Sequence, residues 1–172
     1  MRAAALSLIL FSSLFLLSHC GDLQADQLAD AAQKKALCND GTPPVYYKHL
    51  NENSSEWLIF LEGGGGCFSE ADCLKRYQHS RRLMTASFDV IPRSVTGGGV
   101  LSLDCNVNPH FCNANIFFIH YCSSDLYSGD MEYEYKGSPV YFKGKIIVEE
   151  VINQIAHKHP QLAQATRIVF GG

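Results

Sequence analysis

The sequence has no surplus of charge of either sign: 172 residues carry 14 Lys and Arg against 17 Asp and Glu, a formal net charge of −3. The only adjacent basic pairs are Lys34-Lys35, Lys75-Arg76 and Arg81-Arg82. That leaves no basic stripe to follow a phosphate backbone, which argues against nucleic acid as a partner. There is no internal repeat and no low-complexity segment, and with 47% hydrophobic and 18% charged residues the composition excludes a collagen, a coiled coil and a disordered tail. No Gly-x-Ser-x-Gly occurs, so the usual nucleophile elbow of a serine hydrolase is not written in these residues. Beyond the amino terminus no apolar run approaches the roughly 20 residues that a helix needs to cross a bilayer.

The amino terminus is what remains to be explained. Met1-Arg2 is followed by an apolar run from Ala3 to Leu17 and then by Ser18-His19-Cys20, with polar residues from Gly21 onward. A positive start and a short apolar stretch ending in small residues read as a secretory signal peptide over residues 1–20, so the protein is expected to be secreted and extracellular. Cleavage after Cys20 removes one of the 7 cysteines and leaves Cys38, Cys67, Cys73, Cys105, Cys112 and Cys122. An even count in an exported chain reads as a disulfide framework with 15 possible pairings. Short loops favour Cys67 with Cys73 and Cys105 with Cys112, leaving Cys38 for Cys122. His110-Phe111-Cys112 and His120-Tyr121-Cys122 suggest a rival metal site, but zinc ligands are usually spaced by two or more residues and must be free thiolates, so no metal is expected. Asn53-Ser54-Ser55 is a glycosylation acceptor triplet in a polar stretch.

Residues 21–37 read as a polar lead of helical character, and Cys38 to Pro44 as a turn cluster before a short strand at Val45-Tyr46-Tyr47. Trp57 to Leu61, Ile116 to Tyr121 and Ile168 to Phe170 are continuous apolar runs of the kind buried on both faces of a parallel sheet. Glu70 to Met84 is a candidate helix. From Lys145 to His157, Ile147, Val148, Val151, Ile152 and Ile155 form one apolar face of another, with Glu149, Glu150 and Asn153 turned outward. Strand, helix and strand in that order make a crossover unit, so the fold class is α/β with a largely parallel sheet and crossover helices. His49, His79, His157 and His159 stand in polar or helix-end contexts and read as solvated, while Asp125 and Asp130 read as turn and capping residues.

Gly63-Gly64-Gly65-Gly66 follows directly from a buried strand. Without Cβ atoms, such a run can turn sharply and present N–H groups to an anion or a developing oxyanion. A phosphate loop would need Lys followed by Ser or Thr, whereas Cys67-Phe68 follows here. A tight, close-packed turn stays open as the other reading. No complete catalytic triad can be assembled from the residues of this chain.

Taken together, Trp57 to Gly64, Cys67-Phe68 with Cys73, Arg81 to Met84, Gly99 to Ser102, Asn108-Pro109, Asn113 to Asn115, Tyr121 to Asp125 and Ser128-Gly129 resemble, in order, the amino-terminal half of the Notum and pectin acetylesterase family. The resemblance covers residues 38–172. It implies an α/β-hydrolase-like domain, incomplete at its carboxyl end, in a secreted serine carboxylesterase that needs no cofactor. It further implies an acylated protein such as a palmitoleoylated Wnt, or an acetylated polysaccharide such as pectin, as substrate. A non-catalytic secreted binding homologue is the reading from another class. The family's oxyanion loop maps onto the backbone of Gly64 and Gly65. Its nucleophile lies in a Gly-x-Ser-Ala-Gly-Gly elbow after the strand that here is Arg167 to Phe170, so nucleophile, Asp and His are expected beyond Gly172. Where the family carries an aromatic before the cysteine, this chain has Gly66, which leaves that substrate-binding wall open.

Overall fold

The computed structural model describes residues 21–172, and the signal-peptide reading of residues 1–20 lies outside them. In chain order the elements are β1 (Asp22–Gln27), β2 (Val45–His49), β3 (Glu56–Leu61), α1 (Glu70–His79), β4 (Ser94–Thr96), β5 (Asn115–Ile119), β6 (Met131–Tyr135), β7 (Ser138–Phe142), α2 (Gly144–Lys158) and β8 (Arg167–Gly171). The main sheet has six strands in the order β4-β1-β2-β5-β3-β8, and β6 with β7 forms a separate hairpin.

The expected largely parallel sheet is in fact mixed. Only β5–β3 and β3–β8 pair in parallel, whereas β4–β1, β1–β2 and β2–β5 are antiparallel. The difference comes from the polar lead, which is a strand and not a helix. β1 buries Leu23 completely, and its polar residues are used across the sheet: Asp26 accepts hydrogen bonds from Tyr46 at 3.0 Å and Lys48 at 2.7 Å. Lying between β2 and β4, β1 gains a ladder on both edges, and tertiary pairing overrides its weak strand propensity.

The three apolar runs are β3, β5 and β8, but β8 is not buried on both faces as expected: it is an edge strand, and Ile168 and Phe170 are about half exposed. Trp57, the single tryptophan, is 1% exposed and stacks on Phe117 with ring centroids 5.6 Å apart. His159, expected in solvent, is buried against the same rings, 5.5 Å from Phe117 and 6.2 Å from Trp57. The 3-10 turn that begins at Pro160 folds it back onto the sheet. α2 covers that face through Ile147, Val151 and Ile155, as its spacing predicts, and Glu149 and Asn153 face solvent. Gln154, on the same inner face, is satisfied by Tyr46, the Gln27 carbonyl and the Ala29 N–H. α1 is shorter than expected. It starts at the Ser69 cap, whose hydroxyl accepts the Asp72 N–H, and gives way after His79 to a 3-10 turn at Arg81–Leu83.

The β6–β7 hairpin was not anticipated, although the sequence supports it. Alternation in Glu-Tyr-Glu-Tyr leads into Lys136-Gly137, both with positive φ (50° and 79°), the two-residue turn that matches strand twist. Asn39 ties the hairpin to the rest by donating to the carbonyls of Tyr141 at 2.7 Å and Ser123 at 2.8 Å. Disulfides join Cys38 to Cys122, Cys67 to Cys73 and Cys105 to Cys112. The first links the turn before β2 to the loop after β5, 84 residues away.

Candidate active site

The carboxyl ends of the three parallel strands lie side by side, where sheets of this kind build their sites. Leu61 of β3 is in register with Ile119 of β5, and Phe60 with Gly171 of β8. A Cβ on Gly172 would fall 2.8 Å from Leu61 Cβ. The chain leaving β8 therefore runs against the peptide that enters the glycine run.

The glycine run is held at both ends and in the middle. Glu62 N–H donates to the Ile119 carbonyl at 3.0 Å, and Cys67 N–H to the Ser124 carbonyl at 3.1 Å. Between them, Arg76 Nη1 donates to the Gly64 carbonyl at 2.7 Å. Gly65 has φ +67°, a conformation that glycine adopts without the cost other residues meet. Gly64 has no room for a side chain, since a Cβ there would stand 2.7 Å from Tyr121 Cδ1 and 3.2 Å from both δ carbons of Leu83. Among the described residues, no protein acceptor receives the N–H of Gly64 or of Gly65. Both glycines are exposed.

Beneath the loop lies a rigid floor. Tyr121 is 1% exposed, and its hydroxyl accepts the Leu126 N–H at 2.7 Å while its ring packs 4.7 Å from that of Tyr127. Three non-glycine residues here, Ser124, Leu126 and Tyr127, have left-handed φ values of 54°, 56° and 58°. Such concentrations of backbone strain occur where a site must be fixed in place. Asp125 holds the bend with one carboxylate oxygen on Ser123 and the Tyr127 N–H and the other on the Gly144 N–H that starts α2. It is the turn and capping residue the sequence suggests, and Asp130 pairs with Lys143 at 2.9 Å.

Glu62, the last residue before the glycines, is 9% exposed and sits in a buried network. Its Oε2 is 2.7 Å from His120 Nδ1 and accepts the Tyr121 N–H at 3.0 Å, while Oε1 is 2.6 Å from Arg82. His120 Nε2 bonds the Thr85 carbonyl at 2.9 Å. Burial alone would raise the Glu62 pKa, but the hydrogen bonds from His120 and Arg82 outweigh it and bring it down to about 2. His120 is thus a structural partner of Glu62. The cysteines of both His-x-Cys elements, Cys112 and Cys122, are disulfide-bonded. Among the described residues no three His, Cys, Asp or Glu converge as a metal site.

Beside the loop, α1 and the β6–β7 hairpin enclose an apolar groove of about 880 Å³. Leu74, Tyr77, Met131 and Phe142 line it, and Tyr133 donates to Glu70 across it. Phe68, 85% exposed, stands where groove and loop meet, 3.3 Å from a Cβ placed on Gly66.

The family model described as Pectinacetylesterase matches residues 19–172. The chain belongs to the pectinacetylesterase family. Within curated members of that family it is 45% identical over 121 residues to palmitoleoyl-protein carboxylesterase notum1a of Danio rerio. It is 51% identical over 92 residues to a protein of the same fish named inactive palmitoleoyl-protein carboxylesterase notum1b. It is 35% identical over 150 residues to pectin acetylesterase 4 of Arabidopsis thaliana. The matches cover 70%, 54% and 83% of this chain, and 24%, 65% and 35% of those proteins. The chain thus spans about a quarter of the zebrafish carboxylesterase. Its pectinacetylesterase relatives are named as carboxylic ester hydrolases, in agreement with the family resemblance of the sequence.

The residue patterns point to Gly64, Gly65 and Gly66 but to no catalytic part for Glu62, Arg76, Tyr121 or Ser124, and to His120 only as a rival metal ligand. Glu62 touches the glycine run, and Tyr121 and Ser124 lie in a segment shared with the pectinacetylesterase family, so proximity to those residues was the available signal. Arg76 offered none, because its position on an exposed helix looks like any solvated cation.

Proposed function

We propose that this chain carries the oxyanion hole of a secreted carboxylesterase, with the backbone N–H groups of Gly64 and Gly65 as donors to the tetrahedral intermediate. One observation carries the reading: the N–H groups of two adjacent exposed glycines have no protein acceptors, on a loop anchored at three points beside the carboxyl end of β8. Donors fixed in advance stabilise developing charge without reorganising during the reaction. The nucleophile, its histidine and its acid lie in this reading beyond Gly172, in a larger protein of which residues 38–172 form the amino-terminal part of the hydrolase domain.

For the substrate, we favour a protein carrying a fatty acyl ester over an acetylated polysaccharide. The groove next to the loop is lined mostly by apolar side chains, and the exposed Phe68 ring stands beside Gly66. A sugar ring would instead require polar groups to replace its water. The full-length protein should therefore cleave p-nitrophenyl octanoate with a higher kcat/KM than p-nitrophenyl acetate. Preference for acetate would support the polysaccharide reading. Absence of any turnover would support a non-catalytic binding protein, the alternative to which the relative named inactive gives substance.

Secretion belongs to the same proposal. Among the described residues no helix is long and apolar enough to cross a membrane. Asn53 is exposed in the turn between β2 and β3. Expression in an animal cell line should release the protein into the medium with a glycan at Asn53, seen as a mobility shift on treatment with peptide N-glycosidase that Asn53→Gln abolishes.

A further inference from the structure

We propose that Arg76 is a positioning residue of the oxyanion hole, a role that rests on the esterase reading above. Arg76 lies on the last turn of α1, where a cation ordinarily neutralises its own helix end. Its guanidinium instead reaches away from the helix. Nη1 donates to the Gly64 carbonyl at 2.7 Å, and Nε donates to Ser124 Oγ at 2.8 Å. The guanidinium carbon lies 5.7 Å from the centre of the Tyr121 ring. One side chain thus joins α1, the glycine run and the strained bend after β5.

The consequence for the glycine run follows from peptide geometry. The described residues contain no cis peptide bond. In a trans peptide the carbonyl of one residue and the N–H of the next point in opposite directions. Holding the Gly64 carbonyl therefore fixes where the Gly65 N–H points, away from Arg76 and free of protein acceptors. Glycine at φ +67° has other conformations open to it, and nothing else bonds this peptide among the described residues. Without Arg76 the Gly64–Gly65 peptide can rotate and withdraw the donor.

One observation separates this role from general stabilisation. α1 itself buries no residue, so its attachment through Arg76 and Cys73 serves the loop more than the core.

The test uses the full-length protein with Arg76→Gln, Arg76→Lys and Ser124→Ala. Arg76→Gln should lower kcat for a p-nitrophenyl ester about 10- to 100-fold, a share of what losing one oxyanion donor costs, with KM within about twofold, as for an interaction made only in the transition state. Arg76→Lys should recover part of that loss, and Ser124→Ala, which removes only the Nε acceptor, should lose less. With glycine selectively labelled with ¹⁵N, the Gly65 amide signal should shift or broaden in Arg76→Gln while those of Gly97, Gly98 and Gly99 stay in place. Unchanged kcat in Arg76→Gln would overturn the proposal, as would loss of rate with an unaltered Gly65 signal. Should Arg76→Gln not fold, Arg76→Lys and Ser124→Ala carry the test on the same criteria. A wild-type protein that hydrolyses no ester would defeat the esterase reading, and the Gly65 amide would still decide whether Arg76 orients the loop.

Discussion

Replacing Gly64 by Ala in the full-length protein should lower kcat by about 100-fold or more, with little change in KM, because removal of one oxyanion donor typically costs 10²- to 10³-fold. The new methyl group would stand 2.7 Å from Tyr121 Cδ1 and 3.2 Å from both δ carbons of Leu83. Leu83 has flexible ends, but the Tyr121 ring cannot retreat. Its hydroxyl is fixed by the Leu126 N–H, and its ring packs against that of Tyr127. The loop must therefore lift, carrying the Gly64 and Gly65 N–H groups away from the oxyanion position. Gly63→Ala is the matched control: a Cβ there meets nothing within 4 Å, and its φ lies outside the left-handed range. Steady-state kinetics of both variants check this, and a Gly64→Ala enzyme with wild-type kcat would remove the glycine run from the mechanism.

Glu62→Gln should destabilise the fold by about 2 kcal/mol, since an amide has one oxygen and cannot accept from His120, the Tyr121 N–H and Arg82 together, which leaves a buried polar group unpaired. The part that matters is the contact with His120, whose side chain is 2% exposed, because Arg82, at 56%, can turn to water. The same network predicts a pH dependence. The ordinary glutamate value is 4.5, and the folded protein holds Glu62 at about 2. With the folded pKa depressed, the unfolded chain binds the proton more readily as the pH falls. The contribution of Glu62 is thus complete above about pH 4.5 and is lost as the pH drops through about 2. Urea unfolding at pH 7 and at pH 3 should show a smaller difference between variant and wild type at the lower pH. An equal difference at both would exclude an ionised Glu62 as the source.

Much of this was legible in the residues themselves. Three uninterrupted apolar runs marked strands, and they are β3, β5 and β8, although only the first two are buried as the runs suggest. The 3.6-residue spacing of isoleucines and valines gave α2, and four glycines after a buried strand marked the loop. β1 escaped because its sequence is polar and its strand character comes from neighbours far along the chain. The mixed sheet followed from the same omission. Glu62 and His120 are separated by 58 positions and meet only because β3 and β5 pair in parallel. Arg76 and Gly64 meet because a helix folds back over the loop it follows. Such partnerships exist only in three dimensions, and no spacing rule exposes them.

Trp57 is the second residue of β3, and Glu62 follows the end of that strand, about 16 Å away at the ordinary rise of a strand. As the single tryptophan, sealed between Phe117 and His159, it gives the described domain one indole in one environment. Its emission reports the opening of the sheet and is insensitive to small displacements of the glycine run at the opposite end of the strand. Indole emission during unfolding therefore reports this sheet and not the loop.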